Sequence, residues 1–72
     1  GILVHKRTLL DQQQSEFDAL SDVLAAKNFS LTIVSCNGGD LICFLYWPYW
    51  DFVIMEDIYG ILRPRGWEVF VS

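Results

Sequence analysis

The residues of this chain that could take part in chemistry are few and far apart. His5 is the one histidine, and Cys36 and Cys43 are the two cysteines. A catalytic general base needs a group that orients it and a nucleophile within hydrogen-bond reach. His5 could activate a thiol only if the segment that carries the cysteines crossed close to it. We therefore expect a protein that is not an enzyme.

Metal and cofactor sites are not indicated either. Zinc takes four Cys, His or carboxylate ligands at close spacings, and two cysteines with one distant histidine do not supply them. The turn Asn37–Asp40 lacks the further acids of a calcium loop and the ending of a phosphate-binding loop. A disulfide between Cys36 and Cys43 would strain the predicted hairpin. We expect two reduced, buried thiols in a cytoplasmic protein, and no cofactor.

Three carboxylates fall on one side of a predicted helix. Asp11, Asp18 and Asp22, here called the acidic stripe, lie on the arc opposite its apolar residues. Carboxylates one helical turn apart are about 6 Å from each other, close to the spacing of successive phosphates on a nucleic acid strand. Such a stripe could occupy a groove meant for DNA or RNA. The alternative is a solvated helix face that keeps an apolar protein soluble.

Aromatic residues crowd one turn, the segment Trp47–Asp51, here called the aromatic bend. Trp47, Tyr49 and Trp50 surround Pro48, and Asp51 follows them. Loops face water, and Trp and Tyr are enriched where protein surfaces anchor partners. We predict that the aromatic bend and part of the acidic stripe bind a protein. The alternative is that some of these rings fold back onto the sheet.

Composition narrows the class of partner. The chain has 72 residues, of which 53% are hydrophobic and 15% aromatic, and its net charge is −4. This length predicts a single domain, and the apolar excess leaves dimerisation open. The negative charge disfavours direct binding to nucleic acid or an anionic membrane, since both require a basic patch. No apolar run reaches the roughly 20 residues of a membrane span.

The elements that carry these residues follow from periodicity. We predict a strand over Ile2–Lys6, then a helix from Leu9 to about Lys27, with Thr8 and Asp11 capping its start. Its apolar arc holds Leu9, Leu10, Phe17, Leu20 and Leu24. Lys27 and Asn28 suit its end, because Asn adopts the left-handed conformation readily.

The stretch from Phe29 to Phe52 predicts a hairpin with Asn37–Asp40 as its turn. A turn of even length places Leu31, Ile33, Ile42, Phe44 and Tyr46 on one face, which we expect to be the core. A turn of odd length would instead bring Leu41, Cys43 and Leu45 onto the face of Leu31 and Ile33. We favour the even turn.

The last third of the chain predicts a helix from about Val53 to Arg63, capped by Asp51 and ended by Pro64 and Gly66. The β-branched and aromatic run from Phe52 to Met55 leaves a third hairpin strand as the alternative. Trp67–Val71 alternates between apolar and polar residues and predicts the final strand.

The element order βαββαβ predicts an α+β fold of the split βαβ, ferredoxin-like kind. It has a four-stranded antiparallel sheet, strands one and three in its centre, and two helices on one face. Size, charge and the aromatic bend favour a non-enzymatic protein-binding module. We expect an inhibitor of a host defence or nucleic-acid-processing complex, of the phage anti-defence or anti-CRISPR type. The alternative is a homodimeric structural domain or a domain that senses a small ligand.

Overall fold

The computed structural model describes residues 1–48 and 52–71, which form one antiparallel sheet and two α-helices. Along the chain come β1, α1, β2, β3, α2 and β4, with a short 3-10 turn before α1 and another after α2. Their bounds are Ile2–Arg7 for β1, Gln13–Ala25 for α1, Ser30–Asn37 for β2, Asp40–Tyr46 for β3, Met55–Leu62 for α2 and Glu68–Val71 for β4.

The strand order is β2-β3-β1-β4, and every neighbouring pair is antiparallel. The predicted α+β sheet with two helices is confirmed, and so is the central position of the first and third strands. The arrangement is compatible with a small ferredoxin-like fold. Both helices contribute to one apolar core, in which α1 supplies Leu20 and Leu24 and α2 supplies Ile58 and Leu62. The sheet therefore has one face turned toward the helices.

The start of α1 differs from the prediction. Leu10–Gln12 form a 3-10 turn, and no side chain caps it or α1. The Thr8 hydroxyl is buried without a hydrogen-bond partner, while the Thr8 amide donates to the Gly39 carbonyl at 2.6 Å. This hydrogen bond from the Thr8 amide holds Thr8 against the hairpin turn, and the predicted capping box does not form. Leu9 and Leu10 accordingly lie in water instead of the apolar arc, with 64% and 72% of their surface exposed.

The end of α1 follows the prediction closely. Asn28 has a left-handed φ of 65°. The Phe29 amide donates to the Leu24 carbonyl at 3.0 Å, and the Asn28 amide donates to the Ala25 carbonyl at 3.1 Å. These two bonds satisfy carbonyls that the helix end would otherwise leave free. The chain thereby reverses into β2 directly after the helix.

The predicted core face of the hairpin is wrong, and a β-bulge is the reason. The turn is even, since Asn37 pairs with Asp40 across Gly38 and Gly39. A register shift between Ile33 and Ser35 then makes Val34 an extra residue in β2. Pairing beyond the bulge is therefore shifted by one residue. Leu41, Cys43 and Leu45 are buried and face the helices, whereas Ile42, Phe44 and Tyr46 lie on the opposite face.

The second helix is shorter than predicted. It begins at Met55 rather than Val53, and Ile54 at its N-cap makes no side-chain hydrogen bond. Asp51, the predicted cap, lies outside the described residues. The 3-10 turn Arg63–Arg65 follows, and Gly66 closes it with a left-handed φ of 80°. Trp67, directly before β4, is 1% exposed and completes the core. In the described part of the chain, no helix is long and apolar enough to cross a membrane.

Candidate functional site

The face of the sheet turned away from both helices is an uncovered, largely aromatic surface of the described structure. We call it the open face, and cross-strand pairing places its residues. Leu3 lies opposite Phe44, and His5 lies opposite Ile42. Its apolar and aromatic members are Leu3, His5, Ile42, Phe44, Tyr46 and Phe70. An antiparallel sheet that faces water on one side normally alternates apolar-in with polar-out. Here β3 carries apolar residues on both sides.

Aromatic rings dominate the open face. Phe44 and Tyr46 stack, with ring centroids 6.4 Å apart and an interplanar angle of 28°. Phe70 on β4 lies 5.5 Å from the His5 ring. Phe44, Tyr46 and Phe70 keep 36%, 48% and 53% of their surface exposed. Rings that are held by neighbours but still half exposed can bury area on a partner at little entropic cost.

Charged side chains form one border of the open face. His5 Nε2 lies 3.0 Å from Asp40 Oδ1, and Arg7 Nε lies 3.9 Å from the same oxygen. Glu68 of β4 stands opposite His5 in the sheet. Basic and acidic side chains occur together here, so the electrostatic potential along this border does not have one uniform sign. An aromatic centre beside a mixed polar border is typical of surfaces that bind proteins.

The same geometry separates the histidine from the thiols. His5 lies on the open face, whereas Cys43 is fully buried on the helix side of the sheet. Burial, with a smaller contribution from nearby Cys36, raises the pKa of Cys43 to about 11. A thiol with so high a pKa is a poor nucleophile at neutral pH. His5 and Cys43 therefore cannot act as a catalytic pair in this arrangement.

Cys36 also differs from its prediction, because it is exposed rather than buried. Its thiol donates a hydrogen bond to the Gln13 side-chain oxygen, and Gln13 Nε2 donates to the Gly38 carbonyl at 2.9 Å. Gln13 thus ties α1 to the hairpin turn. Cys36 and Cys43 are both free thiols. Among residues 1–48 and 52–71, no three His, Cys, Asp or Glu side chains gather closely enough to hold a metal ion.

The structure describes only the beginning of the aromatic bend. Trp47 is half-buried, packs against the core and meets Phe29 edge-on, with ring centroids 5.8 Å apart and an interplanar angle of 82°. One ring of the bend is therefore partly a packing residue. Tyr49, Trp50 and Asp51 lie outside the described residues, so their role as partner-binding residues stays a prediction.

The acidic stripe is exposed as expected, but it does not join the open face. Asp11, Asp18 and Asp22 are all exposed. On α1, Asp18 and Asp22 project away from buried Leu20 and Leu24, hence away from the sheet. The open face lies on the other side of the sheet. The two surfaces therefore point in opposite directions, and one flat partner surface cannot cover both.

A groove of about 840 Å³ lies where the end of α1 meets α2. Lys27, Phe29, Val53, Asp57 and Ile61 are among the residues that line it. Phe52 also lines the groove. Its described lining mixes these apolar residues with Lys27, Asn28, Glu56 and Asp57.

Sequence reasoning missed the open face as a functional surface. It assigned Ile42, Phe44 and Tyr46 to the interior, because an apolar row on a hairpin usually faces a core. Phe70 was visible only as one member of the last strand. The available signal was that both alternating rows of β3 are apolar, which one helical layer cannot bury. Comparison of the chain with protein-family models, curated proteins and solved structures found no match.

Proposed function

We propose that this chain is a non-enzymatic, ferredoxin-like protein-binding module that docks through the open face of its sheet. The observation that carries the proposal is the uncovered aromatic group Phe44, Tyr46 and Phe70. Soluble domains rarely leave contiguous apolar patches uncovered unless they bind something. The helices occupy the other side of the sheet, so a partner could approach without displacing any described element.

A protein suits this surface better than a nucleic acid. Base stacking on a sheet needs basic side chains that hold the phosphate backbone. The basic residues that pairing places on the open face are His5 and Arg7, and both lie near Asp40. The net charge of −4 opposes a polyanion further. A partner with an apolar centre and a mixed polar border would match the open face instead.

The finer proposal is that the module inhibits a nucleic-acid-processing or host-defence complex. Small size, net negative charge and the exposed acidic stripe support it. In such a complex, the open face would supply the apolar anchor, and the stripe would face basic residues that otherwise hold nucleic acid. Because the two surfaces point in opposite directions, the complex would have to contact the module from two sides.

The test is quantitative affinity capture from a cell lysate with matched variants. The double variant Tyr46→Ser and Phe70→Ser removes two half-exposed rings and leaves the core intact. We expect it to reduce capture of the specific partner by about tenfold or more, since contact rings are typically worth over 1 kcal/mol each.

The control is Leu10→Ser, which removes a side chain that is 72% exposed in the 3-10 turn before α1. It should leave capture unchanged. A third protein, Trp50→Ala, tests the aromatic bend. Loss of capture with Trp50→Ala but not with the double variant would move the docking surface to the bend. Equal capture by all four proteins would refute an open-face docking site.

A further inference from the structure

The outer edge of β2 is a second surface with a distinct chemistry. β2 and β4 are the edge strands, and β3 pairs with one side of β2. Within residues 1–48 and 52–71, no strand pairs with its other side. An edge of this kind presents backbone N–H and C=O groups that can pair with a further strand. This surface is independent of the open face.

The β2 edge lacks most of the features that keep edge strands apart. Its eight residues, Ser30–Asn37, include no charged residue and no proline. Ile33 and Val34 are 40% and 57% exposed. By contrast, β4 has four residues, begins with Glu68, and follows Arg63 and Arg65. Charges, proline and short length are the usual protection of an edge. In β2 the bulge at Val34 is the one such feature.

The register of β2 fits an antiparallel copy of itself. Directly opposed residues in an antiparallel pair must lie on the same face of the sheet. The bulge places Leu31 and Cys36 on the helix side, while Thr32 and Ser35 lie on the open side. A two-fold axis near Ile33 and Val34 therefore pairs Leu31 with Cys36 of a second copy, and Thr32 with Ser35. Both of these pairs keep to their own face, and Ile33 of one copy meets the bulged Val34 of the other at the axis.

The flank of α1 beside this edge is also uncharged. Gln13 contacts Cys36 of β2, whereas Glu16 contacts Lys6 of β1. These contacts show which side of the helix faces the edge, and helical spacing turns Phe17 and Ser21 toward it. Asp18 and Asp22 of the acidic stripe point away from the sheet. Gln13, Phe17 and Ser21 therefore present no charge to the second copy, and Asp18 lies about 60° further round the helix than Ser21.

We propose that two copies of this chain associate by antiparallel pairing of β2 with β2. The result is a continuous eight-stranded sheet with the two α1 helices side by side. The two-fold axis stands perpendicular to the sheet, so both open faces lie on the same side. A second copy suits this edge better than a charged partner, because the edge presents no charge for such a partner to match.

The experiment measures molecular mass by sedimentation equilibrium for wild type, Val34→Lys and Phe70→Ser over a range of concentrations. Val34 is the bulged residue near the proposed axis, so lysine there places two like charges together without touching the core. We expect wild type to approach twice its 8.3 kDa as concentration rises. Phe70→Ser should do the same, and Val34→Lys should remain at the monomer mass.

Hydrogen exchange of the wild type supplies a readout that does not depend on any variant folding. The β2 amides that point away from β3 should become protected as concentration rises, while the β4 edge should not change. A wild type that stays monomeric overturns the proposal. So does a Val34→Lys protein that dimerises like wild type. Dimerisation that Phe70→Ser abolishes would place the second copy on the open face, and it too would overturn pairing through β2.

Discussion

Single polar residues hold this molecule together where its elements meet. Lys6 is the clearest case, since alternation along β1 separates it from its neighbours in His5-Lys6-Arg7. His5 lies on the open face, but Lys6 points to the helix side, where only 19% of its side chain is exposed. Its ammonium group donates to the Glu16 carboxylate and, at 2.8 Å, to the Arg65 carbonyl. Lys6 thus connects β1, α1 and the turn after α2.

The raised pKa of Cys43 predicts that the protein loses stability at alkaline pH. Burial raises its pKa from 9.0 to about 11, so between these values the unfolded thiol loses a proton that the folded thiol keeps. The unfolded state then binds fewer protons, and the free energy of unfolding must fall as pH rises through this range. We expect a contribution of up to roughly 2 kcal/mol, measured by urea unfolding at a series of pH values.

Two variants isolate this contribution. Cys43→Ala should be less stable at neutral pH because it leaves a cavity, but its stability should decline less between pH 9 and 11. Cys36→Ser changes the exposed thiol and should keep the steeper decline of wild type. Parallel pH profiles for wild type and Cys43→Ala would show that another group is responsible.

At the scale of elements, each helix ends in a residue with positive φ that turns the chain back into the sheet. Asn28 does this after α1, and Gly66 after α2. The Trp67 amide donates to the Leu62 carbonyl at 3.0 Å across Gly66, just as Phe29 bonds to Leu24 across Asn28. In both cases the residue after the turn is aromatic and packs in the core or against it. Each helix end therefore sets the direction of the next strand and places an aromatic side chain in or against the core at the start of that strand.

Two glycines, six positions apart, should respond in opposite ways to alanine. At Gly66 the φ of +80° is strained for any side chain, and an added Cβ would lie 3.3 Å from Lys6 Cε. Gly66→Ala should cost about 1–2 kcal/mol. Gly60 lies inside α2, and an added Cβ there meets nothing within 4 Å. Gly60→Ala should stabilise the protein by about 0.5–1 kcal/mol.

Urea unfolding of both variants beside wild type measures these changes, and Gly60→Ala serves as the matched control. If Gly66→Ala were as stable as wild type, the left-handed turn after α2 would not be needed to deliver Trp67. If Gly60→Ala were destabilising, the solvent-facing position of Gly60 on α2 would be wrong.

At the scale of the whole molecule, the sheet carries apolar residues on both sides and helices on one. Leu45 and Tyr46 are neighbours in β3, yet Leu45 is fully buried and Tyr46 is 48% exposed. This asymmetry defines the interior and leaves the open face available. It also explains how so small a chain can be 15% aromatic, because Phe44, Tyr46 and Phe70 do not have to fit inside.

Leu45 and Tyr46 give a direct test of which side is interior. Leu45→Ala should destabilise the monomer by about 3 kcal/mol, through lost burial and the cavity that remains. Tyr46→Ala should cost under about 1 kcal/mol, because half of its ring is already in water. Chemical denaturation at low protein concentration measures both. If Tyr46→Ala were instead more destabilising than Leu45→Ala, the core would lie on the face of Ile42, Phe44 and Tyr46, as the hairpin turn alone predicts.

Much of this fold can be predicted from the sequence, because several elements carry strong local signals. The spacing of Leu20 and Leu24 identified the buried side of α1, and Asn28 marked its end. Asn37–Asp40 identified the turn. The orientation of β3 could not be predicted, since both of its alternating rows are apolar and Val34 has no residue type that signals a bulge. For the same reason the open face was missed, and Thr8 could not reveal that its amide would bond to Gly39.

The bulge also bears on how this chain can change in length. Deletions are usually tolerated in loops and harmful in strands, because removing one strand residue turns every side chain beyond it to the wrong face. Val34 is the exception, since it has no counterpart in β3. A protein that lacks it could keep Leu31 opposite Leu45 and Cys36 opposite Leu41, with β2 merely straightened. A gap at this position in an aligned sequence would therefore be compatible with an unchanged fold.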